Sequence, residues 1–242
     1  MYSAFDTIDP VLEENGKLFI ENNVSIVKDS RILDIGCGYG IYSSLLMQKG
    51  ASMVVGIDSN FIRISYAKKN NPIKGIFFII GDIEKIPVKS KFLHIIANSL
   101  LQYLDKPFDA IKKMITLLDY QGSIYIVYNK RNFRENILTF FQQLFILIPR
   151  ITFWRIIFFA PVRILNFFNK SNKLFSLRTL TAYLENRIFV KNFHLFSLEQ
   201  FENFIKKTSM ELNTPLFIEP IKFSAVTISA LKITRKGGNC EI

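Results

Sequence analysis

The stretch RILDIGCGYG, residues 31–40, places a carboxylate, Asp34, two residues before Gly36 and repeats glycine at Gly38 and Gly40. Closely spaced glycines behind an apolar run fit a strand-to-helix turn in which a ligand approaches the backbone directly. A second carboxylate, Asp58, ends the next apolar run, SMVVGID, 22 positions beyond Gly36. An acidic side chain at that strand end can bind the hydroxyls of a ribose, so the pair of features points to a nucleoside-containing ligand. The dinucleotide pattern G-x-G-x-x-G would need glycine at position 41, which is Ile41, and no Lys-Ser or Lys-Thr follows the glycines as a phosphate loop requires. A diphosphate cradle is therefore not expected.

Other residues carry candidate chemistry. His194, in NFHLFS, comes where the chain would return across a substrate mouth and is the candidate general base. Tyr103 and Asp105 follow the apolar run FLHIIAN and could line an acceptor pocket, or serve only in packing and capping. His94, inside that run, reads as a core histidine. Cys37 is expected to pack beneath the ligand rather than to act as a nucleophile. With Cys240 as the only other cysteine, neither a disulfide framework nor a four-ligand zinc site can be built, and no metal is expected.

These residues need a frame. RILDI, SMVVGID, GIFFIIG, FLHIIAN and GSIYIVYN read as strands, and IYSSLLMQKG, NFIRISYAKKN and PFDAIKKMITLLD as the intervening helices. That alternation implies βαβ units and a parallel sheet. Gly50 stands where a helix C′ glycine belongs, and Pro107 near a helix start. Ser197 is the expected N-cap of a helix whose Leu198, Phe201, Phe204 and Ile205 share one face, and FSAVTISALKI alternates like an antiparallel strand. With 242 residues, 49% hydrophobic and 21% charged, the chain is expected to form a single α/β domain over 1–242.

The motif Asp-x-Gly-x-Gly-x-Gly at 34–40, the strand-end Asp58, and GDIEKIP at 81–87 followed by KFLHIIAN together resemble the class I S-adenosylmethionine-dependent methyltransferases. The resemblance is to the type-11 methyltransferase domain, which includes ubiquinone and menaquinone methyltransferases. It runs over about residues 28–130, with a weaker echo in FHLFSLEQFENFIKK. It implies a Rossmann-like, seven-stranded, mostly parallel sheet in three α/β/α layers with an antiparallel last hairpin; the stretch after the fifth strand, 131–190, is itself read as an inserted helical lid. It also implies S-adenosyl-L-methionine as cofactor and S-adenosyl-L-homocysteine as product. Asp34, Gly36, Cys37, Gly38 and Gly40 would flank the methionine portion, Asp58 and Ser59 the ribose, and Asp82 with Ile83 the adenine. Asn98 would close the methyl-donor side. One departure is Leu93 after Phe92, where the family usually has Asp. The implied reaction is methyl transfer to a small lipophilic acceptor through oxygen, nitrogen or carbon, with His194 and Tyr103 as candidate catalytic residues. Cofactor binding without catalysis, or a basic RNA-associated methyltransferase, are the alternatives.

Net charge is +11, and residues 131–175 supply +6 of it, from five Arg and two Lys against one Glu. The same segment holds ten of the 24 Phe and the single Trp, Trp154. Arg150, Arg155, Arg163, Pro149 and Pro161 break its apolar run well short of the roughly 20 residues of a membrane span. A structural cap, a substrate lid and a surface for peripheral membrane contact all remain open. Nucleic acid is the less expected partner: neither cysteine follows proline, and NSLL stands where an Asn-Pro-Pro-Tyr motif would. MYSAFDTIDP lacks the basic and apolar pattern of an export signal, so a cytoplasmic protein, in part peripheral to a membrane, is expected. Nothing in the sequence indicates oligomeric state.

Overall fold

A computed structural model describes residues 10–26, 28–83, 85, 90–129, 194–221 and 228–236. These residues belong to one compact unit, Pro10–Lys130 with His194–Ile242. The expected lid at 131–190 lies outside the described residues.

The elements are α1 (Pro10–Asn23), β1 (Arg31–Ile35), α2 (Ile41–Gln48), β2 (Met53–Asp58), α3 (Phe61–Asn70), β3 (Ile76–Ile80), β4 (Phe92–Asn98), a 3-10 turn (Leu101–Tyr103), α4 (Pro107–Leu117), β5 (Leu118–Asn129), α5 (Leu198–Glu211), β6 (Leu216–Ile221) and β7 (Ile228–Arg235). The seven strands form one sheet in the order β3-β2-β1-β4-β5-β7-β6. β1 to β5 are parallel, while β7 runs antiparallel between β5 and β6, as the resemblance implied.

Alternation along each central strand sends side chains to two cores. Leu33, Ile35, Ile95, Ile124 and Ile126 join Ile111, Met114, Phe201 and Ile205 of α4 and α5. Ile32, Val54, Ile96, Tyr125 and Val127 meet Phe19 and Ile20 of α1 and Leu46 of α2 on the opposite face. Helices thus cover both faces, the arrangement that lets parallel strands be apolar throughout.

Local signals set the ends of the elements. Gly50 takes φ +103 beyond α2, and Pro107 opens α4. Ser197 caps α5 in a reciprocal capping box with Gln200, and Phe201 and Ile205 of the expected apolar face are buried. α4 stops at Leu117 rather than running through Asp119, because β5 starts at Leu118, opposite Phe92 and ahead of a register shift. The switch of the strand order, with β1 flanked by β2 and β4, opens the C-terminal sheet edge where ligands bind in doubly wound folds.

Candidate cofactor and acceptor site

Asp34 sits on β1 opposite Gly56 of β2 and Ile96 of β4, and is 1% exposed. Its Oδ2 accepts a hydrogen bond of 2.6 Å from the Ser43 hydroxyl, on the first turns of α2. Burial pushes the Asp34 carboxyl up to about 6, and the neighbouring Asp58 charge adds to this; the Ser43 hydrogen bond works the other way.

The loop after β1 is stitched to the end of β2. The Gly36 and Cys37 amides both donate to the Ile57 carbonyl, at 2.7 and 3.0 Å, and the Gly38 amide donates to Asp58 Oδ2 at 3.0 Å. The Gly40 amide closes a turn on the Cys37 carbonyl at 2.9 Å. Four loop amides are therefore committed internally and do not face outward to grip phosphate oxygens, which is the physical counterpart of the missing dinucleotide pattern.

The three glycines serve different ends, although each has φ between +53 and +80. A Cβ on Gly40 would lie 2.5 Å from Phe78 and 3.1 Å from Ala67, so its bareness admits core packing. A Cβ on Gly38 would meet nothing within 4 Å. That bare backbone, open at the sheet edge beside Asp58, is the surface a ligand can approach.

Cys37 is 4% exposed and packs with Ile64, Ala67 and Phe78. Burial raises its thiol far from the ionised form, so Cys37 contributes backbone and packing to the loop, not a nucleophile. Asp58 also accepts from the Asn60 amide, Oδ1 at 2.8 Å, while the Asn60 side chain caps α3 through the Ile62 and Arg63 amides. Ser59 is exposed. Asp82 and Ile83 follow β3, held near Asp58 by the Gly81 amide, which donates to the Asp58 carbonyl at 3.1 Å. Ile83 is buried in the core and Asp82 partly exposed. Asn98 ends β4, its Oδ1 accepting from the Ser99 hydroxyl at 3.1 Å.

Tyr103 lies in the 3-10 turn just past β4 and keeps 44% of its surface exposed. The His194 amide donates to the Gln102 carbonyl at 3.0 Å, so the fold brings the two candidate catalytic residues to the same turn. His94 is apart from them: it is 5% exposed, opposite Ile32 and Ser123, with its ring 6.1 Å from that of Tyr125. Burial and the Lys232 charge lower it to about 4, a neutral core histidine as the sequence indicated.

Sequence reasoning missed four participants: Ser43, Asn60, Arg63 and Gln102. Arg63 brings its Cζ 5.9 Å from the Tyr39 ring centroid, beside the glycine loop. Asn60 was findable as the residue two after Asp58, at a helix start. Ser43 was findable only by placing the first turn of α2 over Asp34.

Comparison with known proteins agrees with this geometry. A family model described as a methyltransferase domain matches residues 26–143. The malonyl-[acyl-carrier protein] O-methyltransferase of Priestia megaterium is 30% identical over 106 residues, 43% of this chain and 39% of that protein. The ubiquinone biosynthesis O-methyltransferase of Coxiella burnetii is 29% identical over 137 residues, 54% of this chain and 58% of its own. The matched stretch thus spans 39% and 58% of the length of these two relatives. Among solved structures, a putative S-adenosylmethionine dependent methyltransferase from Listeria monocytogenes shares the fold with a TM-score of 0.61 at 15% identity, covering 94% of this chain and 100% of that one. Residues 26–143, just under half of the chain, carry this similarity together with the glycine loop and the strand-end carboxylates, and they support a class I S-adenosylmethionine-dependent methyltransferase.

Proposed function

We propose that the protein transfers a methyl group from S-adenosylmethionine to a small acceptor with an apolar body. The observation that carries this reading is the convergence of buried Asp34, the open backbone at Gly38 and the strand-end Asp58 on one sheet edge. The residues fit the cofactor. A buried carboxylate beside a second one favours a cationic partner such as the amino group of the methionine portion, and the committed loop amides suit a ligand without phosphate.

In this reading Asp34 faces the amino group, Asp58 and Ser59 hold the ribose hydroxyls, Asp82 and Ile83 flank the adenine, and Asn98 closes the donor side. The bound cofactor supplies a methyl group already activated on a sulfonium. The remaining work of the chain is to align and desolvate the acceptor. His194, tied to the turn that carries Tyr103, takes the acceptor proton through Nε2, and Tyr103 lines the approach. The basic, Phe-rich segment 131–175 supports an acceptor of lipophilic character, reached in solution or at a membrane surface. Among the described residues no helix is long and apolar enough to cross a membrane.

Calorimetric titration with S-adenosylhomocysteine tests the reading. The wild type is expected to bind, and Asp58→Ala to lose affinity by tenfold or more, on the order expected for a charged hydrogen-bond partner. A wild type that does not bind, or a folded Asp58→Ala that binds unchanged, would overturn it.

A further inference from the structure

Gln102 stands in the 3-10 turn beyond β4, on the sheet edge that carries Asp34 and Asp58, and its side chain is 1% exposed. Its amide is hydrogen-bonded to the Tyr103 hydroxyl, yet Oε1 is fully buried and has no partner. Its carbonyl accepts from the His194 amide at 3.0 Å, and His194 Nε2 is likewise buried without a partner. Buried polar atoms are nearly always paired, so two unpaired ones on residues joined by a backbone hydrogen bond, next to the site, call for a reason.

We propose that Gln102 is a recognition residue for the methyl acceptor, and that its Oε1 accepts a hydrogen bond from an O–H or N–H group of that molecule. This deepens the methyltransferase reading and rests on it. An amide oxygen only accepts, and a neutral imidazole nitrogen without hydrogen only accepts. Together the two atoms select a neutral hydroxyl or amine that brings its own proton, and they select against a carboxylate, which offers no donor and whose charge would meet a carbonyl dipole pointing the wrong way. In the transfer itself the acceptor oxygen or nitrogen forms its bond to the methyl carbon as the bond from carbon to sulfonium sulfur breaks. The sulfur keeps that electron pair, and the acceptor proton passes to His194 Nε2.

Two measurements on the full chain test the assignment. The first is thermal unfolding of the ligand-free protein. Because Gln102→Met also removes the amide's bond to the Tyr103 hydroxyl, it is made in a Tyr103→Phe background, where that bond is already gone. There it removes an unpaired buried oxygen at nearly constant volume, so the midpoint should stay level or rise relative to Tyr103→Phe, by about 2–4 °C for each unit of stability regained. A clear fall would show that the amide oxygen is structurally satisfied and would overturn the proposal. The second is turnover with S-adenosylmethionine against matched probes, catechol and benzylamine on one side and malonate and benzoate on the other, read as S-adenosylhomocysteine release and a mass gain on the probe. Methylation confined to the hydroxyl or amine probes, and reduced about tenfold or more in Gln102→Met with S-adenosylhomocysteine affinity unchanged, is the expected result. Methylation of the carboxylates, or equal turnover by Gln102→Met, would overturn it. A wild type that fails to bind S-adenosylhomocysteine removes the parent reading instead, and the unfolding measurement still decides whether Gln102 Oε1 is unpaired.

Discussion

Ser43 holds Asp34 by a 2.6 Å hydrogen bond in a region where water does not reach, so the ligand-free site carries a carboxylate poised near its own titration point. A cation bound beside it shifts that balance toward the ionised form.

Cofactor affinity should therefore depend on pH. Asp34 titrates at about 6 in the free protein, so binding of a ligand amino group releases a proton below that pH, and affinity rises with pH up to about 6 before levelling. Ser43→Ala removes the hydrogen bond that favours ionisation and should move the inflection upward. Titrations with S-adenosylhomocysteine between pH 5 and 8, buffers matched for ionisation heat, would show both effects; a flat profile for the wild type would not agree.

The same residue should limit stability. The folded carboxyl is raised above its ordinary value of 3.8, so the native state binds the proton more tightly than the unfolded chain, and stability falls as pH rises from about 4 through 6. Asp34→Asn should then gain up to about 3 kcal/mol at pH 7.5, the equivalent of two pH units, while weakening cofactor binding. Chemical denaturation of both proteins at pH 5 and 7.5 measures the difference.

His94 acts in the opposite direction. Lowered to about 4 from 6.5, it leaves the native state with fewer protons than the unfolded chain, so its contribution is intact above about 6.5 and is lost as pH falls toward 4. His94→Leu should flatten the acid limb of the melting profile, and a steep limb in the variant would assign it to other groups.

Gly38 and Gly40 should separate binding from folding. Gly40→Ala meets Phe78 and Ala67 and is strained at φ +80, for a loss of roughly 2–4 kcal/mol. Gly38→Ala has open space and should lose only the backbone strain, about 1–2 kcal/mol. Gly38→Val is expected to keep the fold and abolish cofactor binding, because its branches enter the space the ligand needs. Circular dichroism melts alongside calorimetry distinguish the three.

Lys49, the C-cap residue of α2, ties that helix to the end of α1. Its Nζ donates to the carbonyls of Ile20, Glu21 and Val24, at 2.8, 3.0 and 2.9 Å, at the end of α1. Lys49→Met should leave these carbonyls to water and cost about 1–2 kcal/mol, with faster amide exchange in the last turn of α1.

The glycine loop and the first five strands were legible because each has a local cause: an apolar run, a bare residue at positive φ, a carboxylate at a strand end. α5 was legible from its capping box and face. The start of β5 was not, since Leu118–Gln121 pair only through an irregularity opposite Phe92 that no local pattern announces. The meeting of His194 with Gln102 was hidden for a related reason. It spans more than ninety residues of chain, and only the parallel order of the sheet returns the chain to that turn. Residues 131–175 are legible in composition alone, and replacing Trp154, Phe158 and Phe159 together tests their reading: lower acceptor turnover or liposome binding with cofactor affinity nearly unchanged.

The stitching of Gly36, Cys37 and Gly38 to β2 has a consequence for solution spectroscopy. Their amide hydrogens are already engaged in the ligand-free protein, so they should exchange slowly with deuterium before any cofactor is added and change little afterwards. The loop is a wall built in advance, and saturation with ligand should register as side-chain and carboxylate chemical shifts at Asp34 and Asp58, with almost no new protection in the backbone that lies closest to it.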